Sequence, residues 1–351
     1  MDFNPSLSLL ESLCAASGVA GFEEPVARVL AGYLEQAGVA CRQDRVGNLI
    51  ARVPGEGPRV LLVAHMDEVG FMVRKVEKDG FVRLERVGGA ALETLPGQHL
   101  MFAGEGGPVT GVVGMVPPHL QTAGKSAGLA SIYVDLGARS REQVAKMGIT
   151  VGTVAVYAPR FQVMQGCVSA KALDDRAGCA LLAQLAGMAA AGSLPCDLSL
   201  AFVVQEENVL VGAQPVVHDL QPDWILGVDA TLTYDTPELD STYADMRLGD
   251  GPAVKVMDHI RGRGQGLVAH PALRCHIENT AQQAGLPLQR EVAVGISTAV
   301  SPLPFQNAGF PTAAVSFPLR YSHSPAEVAD VSDLNRTLSL LYHVLTNPWT
   351  G

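Results

Sequence analysis

Residues 60–68 read Val60-Leu61-Leu62-Val63-Ala64-His65-Met66-Asp67-Glu68. Five successive apolar residues fit a strand buried on both faces, as in a sheet covered by helices on each side, rather than the in-out alternation of a half-exposed strand. The run stops at His65, Asp67 and Glu68, residue types that ligate metals or move protons. Three other apolar runs end the same way. Residues 198–204 lead into Gln205-Glu206-Glu207, residues 224–228 into Asp229, and residues 312–317 toward His323. In open α/β sheets ligands bind at the carboxyl ends of the strands, so segments distant in sequence can converge there. Asp174-Asp175 join the set just ahead of a helical stretch at about 176–190.

Working outward, residues 6–37 carry helical periodicity in two pieces (Leu9, Leu10, Leu13; then Val26, Val29, Leu30, Leu34), separated by Gly18 and Gly21. A short strand is expected at 49–53. After residue 166 strands alternate with helices near 176–190, 273–284 and 331–345. This alternation predicts an α/β class, a three-layer α/β/α domain around a largely parallel or mixed sheet. Residues 70–165 have a different texture of short β-like runs, frequent glycines and an Asp79-Gly80 step that reads as a hairpin turn between 73–76 and 81–84. The chain therefore reads as an α/β domain made of 1–69 and 166–351, interrupted by a small all-β domain at 70–165.

The 351 residues are 48% hydrophobic and 17% charged, which excludes disorder as the main state. Gly 37 and Pro 22 show no period, which excludes a collagen-like chain. The net charge of −10 and the lack of any basic cluster argue against nucleic acid and anionic membrane as partners. The longest apolar stretch, 180–191, is broken by Gln184 and falls short of the ~20 residues a bilayer needs. The N-terminal Met-Asp-Phe-Asn-Pro lacks the charged and apolar regions of a secretory signal, so a cytoplasmic location is expected. Cys14, Cys41, Cys167, Cys179, Cys196 and Cys275 form no C-x-x-C pair and read as reduced core thiols.

Imidazole with several carboxylates suits borderline-soft ions such as Zn²⁺, Co²⁺ or Mn²⁺ better than Ca²⁺. Two such ions ~3.5–4 Å apart would clamp the attacking and leaving oxygens of a hydrolysis, and a shared carboxylate is then needed, with Asp174 the candidate. The spacing His65-x-Asp67 lets a carboxylate orient the imidazole. Standing alone, Asp174-Asp175 would read as a helix cap and Glu206-Glu207 as a solvated strand end. Two glutamates directly after Leu200-Ala201-Phe202-Val203-Val204, however, are costly to desolvate without a cation nearby. His99, His119, His218, His259, His270, His276 and His343 have weaker claims. The glycine-rich runs at 104–107 and 262–266 lack phosphate-cradle spacing, and no G-x-S-x-G elbow is present. A two-carboxylate glycosidase would leave His65, His323 and Asp174 without a role.

At these residues the sequence resembles the tetrahedral (TET-type) co-catalytic dinuclear-metal aminopeptidases, a family that includes glutamyl and deblocking aminopeptidases. The matching segments run in order along nearly the whole chain: Ala-His-Met-Asp-Glu-Val-Gly-Phe at 64–71, Lys-Ala-Leu-Asp-Asp-Arg-Ala-Gly-Cys at 171–179, Gln-Glu-Glu at 205–207, Val-Asp-Ala-Thr at 228–231, Asp-Thr-Pro at 235–237 and Pro-Leu-Arg-Tyr-Ser-His-Ser-Pro at 318–325. The resemblance implies two divalent ions per subunit, zinc or cobalt, one on His65, Asp174 and Asp229, the other on Asp174, Glu207 and His323. It gives Glu206 the role of general base, with Asp67 steadying His65. It implies a metal-dependent aminopeptidase acting on short peptides, with the β insertion a barrel-like dimerisation domain and the dimers building a hollow dodecamer. Alternatives are a dinuclear-metal deacylase or other amidohydrolase, and a non-catalytic peptide-binding assembly protein. Two departures stand out. Asn208-Val209 follow Gln-Glu-Glu where the family has Val-Gly, and Gly295-Ile296-Ser297-Thr298-Ala299 replaces Gly-Thr-Asp-Ala, with no aspartate between 292 and 306. The preferred first residue is left open; Arg247, Arg261 and Arg263 are cations that would favour acidic side chains if they lined the pocket.

Overall fold

The structure, a computed structural model, describes residues 3–120, 131–239, 242–260 and 265–351. Strand Arg59–His65 lies inside a twelve-stranded mixed sheet. It pairs in parallel with Asp197–Val203 on one side and Trp224–Leu232 on the other, and Trp224–Leu232 pairs in parallel with Thr312–Arg320. Four parallel neighbours thus end at one edge of the sheet. Antiparallel strands extend it outward: Leu49–Val53 and Cys41–Gln43 at one side, Glu327–Asp330, Cys167–Ala170 and Gln162–Met164 at the other.

The uninterrupted apolar run at 60–64 is explained by two cores. Val60, Leu62 and Ala64 pack with Leu13, Leu30, Leu181 and Leu338, from the helices Leu7–Ala15, Glu24–Gln36, Leu173–Ala191 and Val331–Thr346. Leu61 and Val63 face the opposite way, toward Val216 and Val217 of helix Gln214–Leu220 and Leu303 of a 3₁₀ turn. Each of these fully buried Val and Leu side chains stabilises the fold by roughly 1.5–3 kcal/mol. The second face is tightly packed, since a Cβ on Gly227 would lie 2.5 Å from a Val300 methyl. Helix ends are locally encoded. Ser6 accepts the Leu9 N–H, and Asp330 accepts the Ser332 N–H at 2.7 Å.

Between these sheet strands the chain forms a closed six-stranded antiparallel barrel in the order Gly70–Val76, Val82–Val87, Tyr133–Asp135, Gly107–Val113, His99–Gly104, Val154–Tyr157. It has its own core, including Phe71, Leu84, Phe102, Val134 and Tyr157. The expected hairpin at Asp79-Gly80 is present, with Gly80 at φ +93°. A short helix, Arg141–Lys146, interrupts the β texture.

A branch of the sheet is absent from the sequence reading: Ala253–Ile260 pairs in parallel with Gln289–Val294 and antiparallel with Gln265–Val268 and the strand Thr312–Arg320. No helix among the described residues is long and apolar enough to cross a membrane. All six cysteines are unpaired. Cys14, Cys179 and Cys196 are buried as expected of core thiols, while Cys275 is exposed.

Candidate metal centre

His65 closes the central strand and is pinned by its backbone and by its ring. Its backbone N–H donates to Asp175 Oδ2 at 3.1 Å, and its Nδ1 lies 3.1 Å from the Asp67 carbonyl. A carbonyl only accepts, so Nδ1 carries a proton and Nε2 is turned toward the carboxylates. Nε2 lies 3.3 Å from Asp174 Oδ1, 3.7 Å from Asp229 Oδ1 and 4.0 Å from Glu206 Oε2.

A second imidazole faces the same group. His323 Nδ1 lies 3.2 Å from the Gly89 carbonyl on the barrel side, and Nε2 lies 3.0 Å from Glu207 Oε1 and 3.7 Å from Asp174 Oδ2. Asp174 therefore presents one oxygen to each histidine. Its peptide bond to Asp175 is cis, and both residues are non-helical inside the span Leu173–Ala191. Of the two, Asp175 does the capping, its Oδ1 accepting the Gly178 N–H at 3.1 Å.

Glu206 and Glu207 sit on a one-turn helix, Glu206–Val209, rather than at a strand end. The Asp67 carboxylate fixes that turn by accepting both their backbone N–H groups at 2.9 Å, while one of its oxygens stays 3.6 Å from His65 Nδ1. The turn closes through Asn48, whose side chain accepts from Val204 N–H and donates to the Gly212 carbonyl. All seven residues singled out from the sequence, His65, Asp67, Asp174, Glu206, Glu207, Asp229 and His323, meet at this edge of the sheet.

Sequence reasoning missed the support from Glu327 and the ion-pair role of Glu68. Glu327, buried at the start of its strand, accepts the His323 N–H at 2.7 Å and the Asp174 N–H at 3.1 Å. Glu68 is buried against Lys171 (2.7 Å) and Arg176 (3.1 Å), tying the strand end to the Lys171–Cys179 motif.

A cavity of about 740 Å³ opens over these residues, walled by Arg86, Gly88 and Gly89 of the barrel and by Thr231, Ile260 and Ile296 opposite. The altered segment 295–299 forms part of that wall. Its bracing carboxylate is supplied by Asp258, which accepts from Ser301 Oγ at 2.8 Å, Thr298 Oγ1 at 3.3 Å and Leu267 N–H at 2.7 Å. Arg247 is exposed beside Asp250 and does not line the cavity. Arg261, Arg263 and residues 262–264 of the second glycine-rich run lie outside the described residues. Among the described lining residues the one Lys or Arg is Arg86, its Nη1 3.2 Å from the Ala90 carbonyl.

Burial raises the carboxyl of Asp229 to about 7 and moves Glu206 and Asp175 well upward. Burial also opposes ionisation of Asp174, but hydrogen bonding to His65 and the charge of both imidazoles hold it at about 2. Burial opposes the charged forms of the histidines as well. The carboxylates outweigh it, with Asp174 and Asp67 raising His65 and Glu207 raising His323 to about 10. The cluster thus holds more acid groups than it can ionise unaided, and its imidazole nitrogens face carboxylate oxygens. Ligand atoms of His65, Glu206 and Glu207, of His65, Asp175 and Asp229, and of Asp174, Glu207 and His323 all lie within 4.8 Å in their groups. A donor set of this composition and spacing fits divalent transition-metal ions.

A sequence profile described as M42 glutamyl aminopeptidase matches residues 47–340. This chain belongs to the M42 family. It is 32% identical over 339 residues to the lysyl aminopeptidase of Pyrococcus furiosus, covering 95% of this chain and 94% of that one. The solved aminopeptidase APDkam598 from Desulfurococcus kamchatkensis superposes with a TM-score of 0.92 at 32% identity, covering 97% and 94% of the two chains. The Pyrococcus horikoshii TET1 peptidase, described as assembling into a tetrahedron or a large octahedral shell, gives a TM-score of 0.86 at 26% identity, covering 97% and 98%. The M42 chain is accordingly a TET-type metallo-aminopeptidase in fold and class.

Proposed function

We propose that this M42 peptidase releases the N-terminal residue of short peptides, with one divalent ion on His65, Asp174 and Asp229, a second on Asp174, Glu207 and His323, and Glu206 as general base. Zinc and cobalt both suit these donors. The observation that carries the reading is Asp174 standing between two imidazoles, 3.3 and 3.7 Å away, with Glu206 4.0 Å from the first. Bound ions would polarise the scissile carbonyl and lower the pKa of water.

Each remaining step belongs to the chain. Glu206 is buried, which raises the proton affinity of its carboxylate, and in its ionised form it is suited to take a proton from the attacking water and return it to the leaving amine. Asp67 fixes its backbone and that of Glu207. The acidic floor of the cavity favours a free α-ammonium group, which is the basis for action at the N-terminus. The cavity's barrel wall, at Arg86 and Gly88–Gly89, shields the site on one side.

The same reading takes 1–69 and 166–351 as the catalytic domain and 70–165 as the insertion through which subunits dimerise, the dimers joining into a dodecamer. The likeness to solved TET peptidases supports a homo-oligomer of this kind.

The test is release of the first residue from matched free and N-acetylated peptides, by protein stripped with chelator and then reloaded with zinc or cobalt. Turnover of free-amine peptides alone, lost on stripping and restored on reloading, is expected. Equal turnover of acetylated peptides would transfer the site to deacylase or general amidase chemistry.

A further inference from the structure

Glu23 is a buried carboxylate, 5% exposed, which the chemistry above leaves unused. It stands just ahead of helix Glu24–Gln36 and about 180 residues before the acidic turn. Its Oε1 accepts two backbone N–H groups, from Gly21 at 2.7 Å and from Gln205 at 3.0 Å. Gln205 directly precedes Glu206 and is held at φ 57°, a left-handed conformation disfavoured for a residue with a Cβ. The next two N–H groups, of Glu206 and Glu207, go to Asp67. Three consecutive amides at 205–207 are therefore gripped by two buried carboxylates, one from the N-terminal segment and one from the end of the central strand.

Glu23 has no ion-pair partner among the described residues, so its place in the interior is explained by these amides. The amide at 205 sets the left-handed entry to the turn and hence the direction in which Glu206 leaves the backbone. We propose that Glu23 is a positioning residue for Glu206, resting on the reading of Glu206 as the base. A base displaced by about 1 Å loses on the order of 100-fold in rate, while His65, Asp174 and His323, held by Asp175, Glu327 and Gly89, and Glu207, whose amide Asp67 keeps, stay in place.

The experiment compares Glu23→Gln, Glu23→Asp and Glu23→Ala with wild type and Glu206→Gln. Metal-loaded proteins are assayed for kcat, KM and ions per subunit. Metal-free proteins are followed by hydrogen exchange across 203–208. Both hydrogen bonds use a single oxygen, which glutamine retains and the shorter aspartate withdraws. The expected result is Glu23→Gln within about 3-fold of wild-type kcat, and Glu23→Asp and Glu23→Ala lowered roughly 30- to 100-fold with KM and metal content unchanged. In the metal-free proteins the Gln205 amide loses protection in Asp and Ala but not in Gln.

Wild-type kcat in Glu23→Ala, or an equal fall in Gln and Ala, would overturn the positioning role, as would loss of bound metal in step with kcat. Should Glu23→Ala fail to fold, the Gln and Asp pair decides the matter by the same criteria. Full activity of Glu206→Gln would instead remove the base assignment, while the exchange of Gln205 reports separately on the Glu23 grip.

Discussion

Gly89 and His323 meet where the barrel joins the sheet. The Gly89 carbonyl takes the imidazole Nδ1–H at 3.2 Å, and a Cβ on Gly89 would stand 2.6 Å from that same nitrogen. The following turn reinforces the contact, as Ala91 N–H donates to the His323 carbonyl at 3.1 Å. The barrel therefore orients a histidine at the edge of the sheet where the candidate metal donors meet, and only glycine leaves room for the ring.

Gly89→Ala should displace the His323 ring without touching His65. Loss of an orienting partner typically weakens metal affinity by about 10- to 100-fold, so on the proposed two-ion reading bound metal should fall toward one ion per subunit at limiting metal. Elemental analysis after dialysis against buffered zinc checks this. Two tightly held ions in the variant would contradict the account of the barrel's contribution.

Arg320 grips Asp235 with two hydrogen bonds, of 2.9 and 2.6 Å, and joins the loop after Trp224–Leu232 to the strand that leads to His323. Burial opposes the charge on Asp235, but Arg320 and the Leu248 N–H outweigh it and hold the carboxyl at about 2, below its ordinary 3.8. The folded state thus binds fewer protons here than the unfolded chain. The pair's stabilisation is complete above pH 4 and is lost as pH falls through about 2. With solvent screening allowed for, Asp235→Asn should cost about 1–2 kcal/mol at pH 7 and flatten the acid limb of the stability curve. Denaturant titrations between pH 2 and 7 read both effects, and an unchanged acid limb would refute the linkage.

Arg86 supplies positive charge to a cavity whose other charged or titratable lining groups, among the described residues, are carboxylates and imidazoles. A charge-assisted hydrogen bond contributes roughly 1.5–3 kcal/mol, and the exposed position of Arg86 argues for the low end. Arg86→Ala should raise KM about 10-fold for peptides carrying an acidic side chain, and leave neutral peptides nearly unaffected. An equal change for both classes would count against a recognition role.

The parts of this molecule legible in its sequence are those with a local signature. The strand at 60–64 could be read because two cores flank it, and the strand-end residues because the four parallel neighbours finish at one edge. Ala253–Ile260 and Gln289–Val294 escaped because Lys255 and Glu291 interrupt the apolar pattern, and they are buried as a pair 2.7 Å apart. Glu23 and Glu327 escaped for a different reason: each reaches the site through a backbone amide far away in sequence, Gln205 and Asp174, and no spacing marks them. The helix start near Arg176 was legible too, since Asp174 and Asp175 keep non-helical geometry ahead of it. Arg247 drew attention as a charge, but nothing in its neighbourhood could reveal that the chain carries it away from the cavity.

The most direct test of the central claim is the turnover of Glu206→Gln measured with metal content verified on the same sample. The account predicts a kcat lower by about 10²- to 10⁴-fold, with KM and two bound ions per subunit unchanged, because the amide keeps the shape of the side chain but cannot carry the proton. A variant with both ions bound and kcat within a few-fold of wild type would contradict it and remove Glu206 from the chemistry.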